Sequence, residues 1–415
     1  MATENNISTV IASKPLLRGT KQSVFLIPKL RFKEFEGNWE KYKVGELCDC
    51  IVPGRNKPKK FRGDIAWITT PDIEHSSYIY KSKSGLGISK EEAKNVGSKI
   101  VPKDSVIISC VGDLGLVAIA GVELVINQQL HAFLPSEKIN HRFLMHSITT
   151  QTKYIDKVAT KTAVPYMNKG NCNSIPIYKP LLPEQQKIAT FLTAVDTKLQ
   201  QLKSKKNALE TYKKGAMQQL FSQQIRFKAD DGSDFVDWEE KKLGEISNII
   251  MGQSPESKSY NENGDGVFLI QGNADLKNRL TKPRQWTNEP TKKCQIGDLI
   301  MTVRAPVGSI SKSLHNACIG RGVCSIKNNN KSSIEYLYQF LLSYELKWVR
   351  LEQGSTFTAV SGADIKSIKI KLPFLKEQQK IATYLSAIDV KIESIQLQIE
   401  KTQAFKKGLL QQLFV

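Results

Sequence analysis

The segment PEQQKIATFLTAVDTKLQQL at residues 183–202 returns as KEQQKIATYLSAIDVKIESI at residues 376–395. Aligned without a gap, Glu184 falls on Glu377, a shift of 193 residues, and the register holds to Phe221 on Phe414, where KKGAMQQLF faces KKGLLQQLF. Two further echoes widen the repeat: WEKYKVGEL at 39–47 against WEEKKLGEI at 238–246, and SIPI at 174–177 against SIKI at 367–370. The duplication covers both halves of the chain, globular part and helix alike, so any fold must build one unit twice.

Inside each repeated segment the apolar residues fall alternately three and four apart: Ile188, Leu192, Val195, Leu199 and Leu202, then Ile381, Leu385, Ile388, Ile392, Ile395 and Ile399. That spacing is a heptad seam. Each run from Glu to Phe would be about 57 Å long if helical throughout. If the two seams bury each other, the connectivity makes the helices antiparallel and the whole a dumbbell with pseudo-twofold symmetry. The globular parts read as mixed α/β with more strand than helix; VIISCVGDLGLVAIAGVEL (106–124) and DLIMTVRAPVGSISKS (298–313) look like β-branched strands broken by a Gly-containing turn. Short helices are expected at HRFLMHSITTQTKYI and IEYLYQFLLSYELKWV. The expected fold class is α+β: two mixed α/β domains separated by two long antiparallel coiled-coil helices, with a pseudo-twofold internal repeat. The boundaries are an N-terminal tail at 1–21, a first domain at 22–180, a central helical spacer at 181–222, a second domain at 223–372 and a C-terminal helical spacer at 373–415.

Lys plus Arg outnumber Asp plus Glu by 60 to 40, and a net charge of +20 points to a polyanionic partner, nucleic acid first. The N-terminus has no uninterrupted apolar segment of the signal-peptide kind, and nowhere does the chain approach a membrane span, so a soluble cytoplasmic protein is expected. The seven cysteines form no paired CxxC arrangement and read as small reduced core or loop residues.

Catalysis finds little support. Asp72 after Pro71, followed by Glu92 and Lys94, imitates the two carboxylates and lysine that surround Mg²⁺ in many nucleases, but Glu92 sits in SKEEAKNVG, which reads more simply as a short capped helix. AVPYMN at 163–168 resembles the target-amine loop of adenine methyltransferases only faintly, because Ala163 stands where a hydrogen-bond acceptor is required. There is no GxxxxGK[ST] phosphate loop. His75, His131, His141, His146 and His315 form no metal-like spacing, so no metal ligands are assigned.

At these residues the chain resembles the specificity subunits of type I restriction-modification systems. The likeness covers nearly the whole chain: an RF…W opening (Arg31, Phe32, Trp39; again Arg226, Phe227, Trp238), a variable domain, an EQQKIAxxLxxxDxKI helix, then all of it again. The first copy departs mildly, with Lys179 where the second has Leu372 and Leu199 where the second has Ile392. The resemblance implies that each globular domain is a target recognition domain reading one half of a split, asymmetric sequence in double-stranded DNA, with the helices as a ruler between them. It implies two docked methyltransferase subunits, two restriction subunits with motor and nuclease activity, and no chemistry in this chain, AdoMet, Mg²⁺ and ATP belonging to the partners. Gln185 and Gln186, matched by Gln378 and Gln379, begin the helices, and Gln218 and Gln219, matched by Gln411 and Gln412, end them; these pairs are either docking contacts or a capping preference. Phosphate contacts need exposed Lys or Arg, and base readout favours Arg, Asn and Gln. The candidates are Arg55, Asn56, Lys57, Lys59, Lys60 and Arg62 in the loop GRNKPKKFR, and Lys277, Arg279, Lys282 and Arg284, with Arg304 and Arg321 at strand ends. A stand-alone nuclease built on Asp72, Glu92 and Lys94, and a purely structural coiled-coil linker, are the competing classes.

Overall fold

The computed structural model describes residues 10–12, 26–54, 56–354 and 359–415. Two long helices, Leu182–Phe221 and Leu375–Leu413, realise the repeated segments as uninterrupted helix. By compactness the chain divides into residues 1–204 with 397–415, and residues 205–396. This division differs from the sequence boundaries: each unit takes one globular domain together with half of each long helix.

In the first unit a five-stranded sheet runs in the order Cys50–Ile51, Leu130–Phe133, Val106–Ser109, Val117–Ala120, Ser77–Ile79, and a three-stranded sheet in the order Leu124–Ile126, Ile65–Ile68, Gly87–Ile88. The strand period of two sorts the central side chains onto two faces. Val106, Ile108, Val117, Ile119 and Phe133 face a core shared with the long helices through Ile188, Ala189, Leu192, Leu409 and Leu413. Ile107, Ala118, Ala120, Leu130 and Ala132 face a second core that also holds Ala66, Ile68, Leu124 and Ile126 from the smaller sheet. A sheet covered on both sides explains why these strands read as continuous apolar runs rather than alternating ones.

The second unit follows the same plan. Its six-stranded sheet contains Val323–Asn328, Leu299–Thr302 and Ile310–Lys312 side by side, each 193 residues beyond its counterpart within a residue or two. Leu299, Met301, Ile310, Cys324 and Ile326 share a core with Ala216, Met217, Leu220, Ile381 and Leu385 of the helices, while Ile300 and Val323 face the other way, towards Ala317 and Ile319. The helices expected at the two apolar segments are present, as His141–Thr149 and Thr152–Val158 and as Ile334–Gly354.

The short sequence echoes turn out to be the clasp of each unit. The strand Glu40–Lys43 pairs antiparallel with Pro176–Lys179, and Glu239–Lys242 with Lys369–Leu372, so the beginning and end of each globular domain close where the long helix starts. Inside the clasp, Arg31 donates from Nε and Nη2 to both oxygens of Glu184 at 2.8 and 2.7 Å. Arg226 does the same to Glu377 at 3.2 and 2.9 Å. The two carboxylate side chains are only 3% and 0% exposed. Trp238 Nε1 adds a third hydrogen bond to Glu377, at 2.9 Å, whereas Trp39 Nε1 has no partner.

Candidate nucleic-acid interface

The basic loop of the first unit runs from the strand Cys50–Ile51 to Ile65–Ile68. Asn56, Lys57, Lys59, Lys60 and Arg62 are all exposed, and Arg55 lies outside the described residues. The loop is held through its backbone: the N–H groups of Lys59 and Lys60 donate to Glu92 Oε1 at 2.7 and 3.2 Å, which also keeps that carboxyl below its usual range. Glu92 lies in the helix Lys90–Asn95, capped by Ser89 Oγ as its sequence suggests. Among the described residues none of the four cations forms an ion pair within 4 Å, so a pinned backbone presents exposed positive charges, with Glu92 the nearest acid acting on Lys59 and Lys60. That arrangement suits phosphate binding, because the loop is ordered before the ligand arrives.

The nuclease-like set is dismantled by the same contacts. Asp72 is buried and accepts hydrogen bonds from Thr69 N, Thr69 Oγ1, Ser82 Oγ and Lys83 N at 2.6–3.2 Å. It ties a turn, and among the described residues neither it nor Glu92 belongs to a group of side chains spaced for a metal.

In the second unit the candidates form two groups. Lys277, Arg279 and Lys282 lie on or beside a hairpin of Leu276–Lys277 and Leu280–Thr281, whose turn residues Asn278 and Arg279 adopt φ of 51° and 63°. Lys277 and Lys282 are exposed. Arg279 is corrected as a free reader: its guanidinium forms a two-point pair with Glu345 and also donates to Ile310 O at 3.3 Å. Burial works to lower the pKa of Arg279, but the hydrogen bond and charge of Glu345, with the charges of Tyr338 and Asp389, together raise it. Arg284 donates from Nε to the buried carboxylate of Asp275 at 2.9 Å, but its side chain stays 65% exposed with its outer nitrogens available. Arg304 and Arg321 are exposed just beyond Thr302 and Val323, which face each other across a strand pair, so both extend from one end of the sheet.

The glutamine pairs split. Gln185 and Gln378 are 0% and 1% exposed. Gln185 accepts from Asn140 N and donates to Pro180 O, at 2.9 and 2.8 Å; Gln378 accepts from Ser333 N and donates to Pro373 O, at 2.8 and 2.9 Å. Their assignment as partner contacts is corrected: they fasten each long helix to its own domain. Gln186, Gln379, Gln218, Gln219, Gln411 and Gln412 remain exposed.

Two side-chain groups went unrecognised in the sequence. In the first unit Asp196 of the first long helix meets Lys406 of the second at 2.5 Å, with the buried His146 ring 3.6 Å from the same carboxylate. In the second unit Asp389 meets Lys213 at 2.7 Å, with Gln339 Nε2 donating to it at 2.8 Å. Each residue of the second trio is the 193-residue image of one in the first, the two helices exchanging roles; the conserved spacing of Asp in the repeated signature was the available signal. The other group joins residues whose sequence spacing is not metal-like: Cys110, His131 and Cys172 place their ligand atoms within 4.8 Å of one another.

Comparison with known proteins agrees with this architecture. The family model described as "Type I restriction modification DNA specificity domain" matches residues 36–211 and 235–402, one match for each repeat. A putative type I restriction enzyme MjaX specificity subunit of Methanocaldococcus jannaschii is 36% identical over 62% of this chain and 62% of its own length. The MjaIX specificity subunit of the same organism is 25% identical over 91% of this chain and 92% of its own. Among solved structures, the type I restriction-modification S subunit from M. genitalium shares the fold with a TM-score of 0.61 at 18% identity, over 94% of this chain and 99% of that one. Another, from work on assembly and conformational transition of the type I R-M system, has a TM-score of 0.53 at 24% identity, over 90% of this chain and 96% of that one. With both repeats matched, the chain belongs to the family of type I restriction-modification DNA specificity subunits.

Proposed function

We propose that this chain is the non-catalytic DNA-reading subunit of a type I restriction-modification complex, each unit recognising one half of a bipartite, asymmetric target. The observation that carries the reading is the repeated plan itself: two domains with the same core and clasp but different exposed basic loops. The long helices supply two equivalent surfaces for two methyltransferase subunits and set the gap between half-sites, and two restriction subunits complete the complex. Gln186, Gln379, Gln218, Gln219, Gln411 and Gln412 are the glutamines left on those surfaces. AdoMet, Mg²⁺ and ATP act in the partners, since Asp72 and Glu92, the nearest approach to a catalytic pair here, are both engaged in holding loops.

Exchange of residues 22–178 for the corresponding domain of a relative tests the reading. Methylome mapping in cells carrying the hybrid is expected to show one half-site replaced and the other retained; simultaneous change of both halves would refute independent readers. A narrower test replaces Lys57, Lys59 and Lys60 by alanine together. If these lysines contact phosphates, the slope of log affinity against log salt becomes shallower by about three, with similar weakening for all sequences. An unaltered slope would remove this loop from the interface.

A further inference from the structure

The internal repeat offers a control for every buried position, because the second unit shows what the fold requires without the first unit's additions. Cys110 follows the strand Val106–Ser109, His131 lies within Leu130–Phe133, and Cys172 lies in the helix Lys169–Asn173. All three are buried, and the two sulfurs are 3.4 Å apart. A shift of 193 carries them onto Val303, Cys324 and Ile365, which are buried in an ordinary apolar core. A fourth cysteine, Cys50, lies in the strand beside His131's and in the same core as Cys110 and Cys172. It pairs with Phe133, whose image Ile326 pairs with Ile249, so its counterpart is also apolar. The fold therefore closes with Ile, Val, Cys and Ile at these places, while the first unit carries three thiols and an imidazole.

Packing alone gives no reason for the exchange. Leaving a buried ring nitrogen without a partner costs about 1–3 kcal/mol, and among the described residues His131 Nδ1 has no hydrogen-bond partner while the residue is only 5% exposed. A tetrahedral zinc ion with sulfur at about 2.3 Å and nitrogen at about 2.0 Å sets its ligand atoms about 3.5–3.8 Å from one another. The two sulfurs, 3.4 Å apart, are near that spacing, and the imidazole ligand atom lies within 4.8 Å of both.

We propose that Cys110, His131 and Cys172, with Cys50 as fourth ligand after a side-chain rotation, form a structural zinc site in the first unit. Binding transfers the thiol protons to solvent and replaces the three S–H groups by three Zn–S bonds, the imidazole entering neutral. The ion joins the strand Cys50–Ile51, the two central strands of the sheet and the helix that precedes the closing strand Pro176–Lys179. Full burial makes this a site filled during folding.

The test uses the full chain purified after expression with zinc supplied, dialysed against a weak chelator, and analysed for metals by mass spectrometry. One zinc per chain is expected. Cobalt(II) substituted during refolding should give the intense visible bands of tetrahedral coordination together with a thiolate-to-metal charge-transfer band. The double variant Cys110→Val, Cys172→Ile installs the second unit's residues, so it should fold, bind no zinc and give no such spectrum. Retention of one zinc by that variant would overturn the proposal. So would a metal-free wild-type chain, whether it titrates with all seven thiols in denaturant or with five because Cys110 and Cys172 have joined as a disulfide. Stoichiometric copper or iron in place of zinc would refute the identity of the ion.

Discussion

Arg31→Ala is expected to destabilise the first unit by about 3–5 kcal/mol, because it strands the Glu184 carboxylate in the clasp without any donor among the described residues. The equivalent Arg226→Ala should cost less. Glu377 keeps its hydrogen bond from Trp238 Nε1, and a hydrogen bond to a charged group contributes about 1.5–3 kcal/mol, whereas Trp39 Nε1 makes none to Glu184. Removing both charges from the first clasp, as Arg31→Met with Glu184→Leu, should restore most of the loss, since the damage comes from an unpaired buried charge rather than from a missing attraction. Denaturant unfolding gives the energies. Hydrogen exchange of peptides covering 26–50 and 226–250 assigns each to its unit. Equal losses for the two arginine variants would show that the tryptophan bond carries no weight, and a double variant as unstable as Arg31→Ala would contradict the buried-charge account.

The architecture was legible because it rests on periodicities. The three-four spacing of Ile188, Leu192 and their fellows announced long helices, and β-branched runs announced strands, whose cover on both faces only the fold revealed. The same helical phase could have separated the glutamines. Gln185 lies three residues before Ile188 and seven before Leu192, on the buried stripe, while its neighbour Gln186 is turned outward. What the sequence could not show were commitments made across long separations. Nothing local distinguishes Arg279 from Lys277, yet Glu345, 66 residues on, occupies the one and leaves the other free. Cys110, His131 and Cys172 have no motif spacing because two strands separate the first two and two helices the last two, and only the packing of the helix Lys169–Asn173 against the sheet brings them together. The basic loops were visible as composition, but the backbone hold that Glu92 exerts on Lys59 and Lys60 needed the fold.

His146→Gln tests whether the two units can exchange their buried polar centres. His146 is fully buried, and burial, with the positive charges of Lys406 and His75 adding to it, pushes its pKa down to about 3. Unfolded, the imidazole titrates near 6.5, so between about pH 6.5 and 3 the unfolded chain holds a proton that the folded chain does not. Stability from this group is therefore complete above pH 6.5 and falls with acidification, by about 1.4 kcal/mol per pH unit. Asp196 acts in the opposite direction, because burial raises its carboxyl above the usual value and the folded state takes up that proton first. Glutamine is the residue that the repeat places at the matching position, where Gln339 donates to Asp389. In the first unit it can give Asp196 Oδ2, which lacks a hydrogen bond, the donor that His146 fails to supply at 3.6 Å. The variant should gain about 2 kcal/mol relative to wild type at pH 5 beyond any difference at pH 7.5, with one proton less taken up on unfolding at the acid side. Denaturant melts at the two pH values measure the difference. If both proteins lose stability in parallel as the pH falls, His146 is protonated in the folded state, and the buried centre is held together by a charged histidine instead of a neutral one.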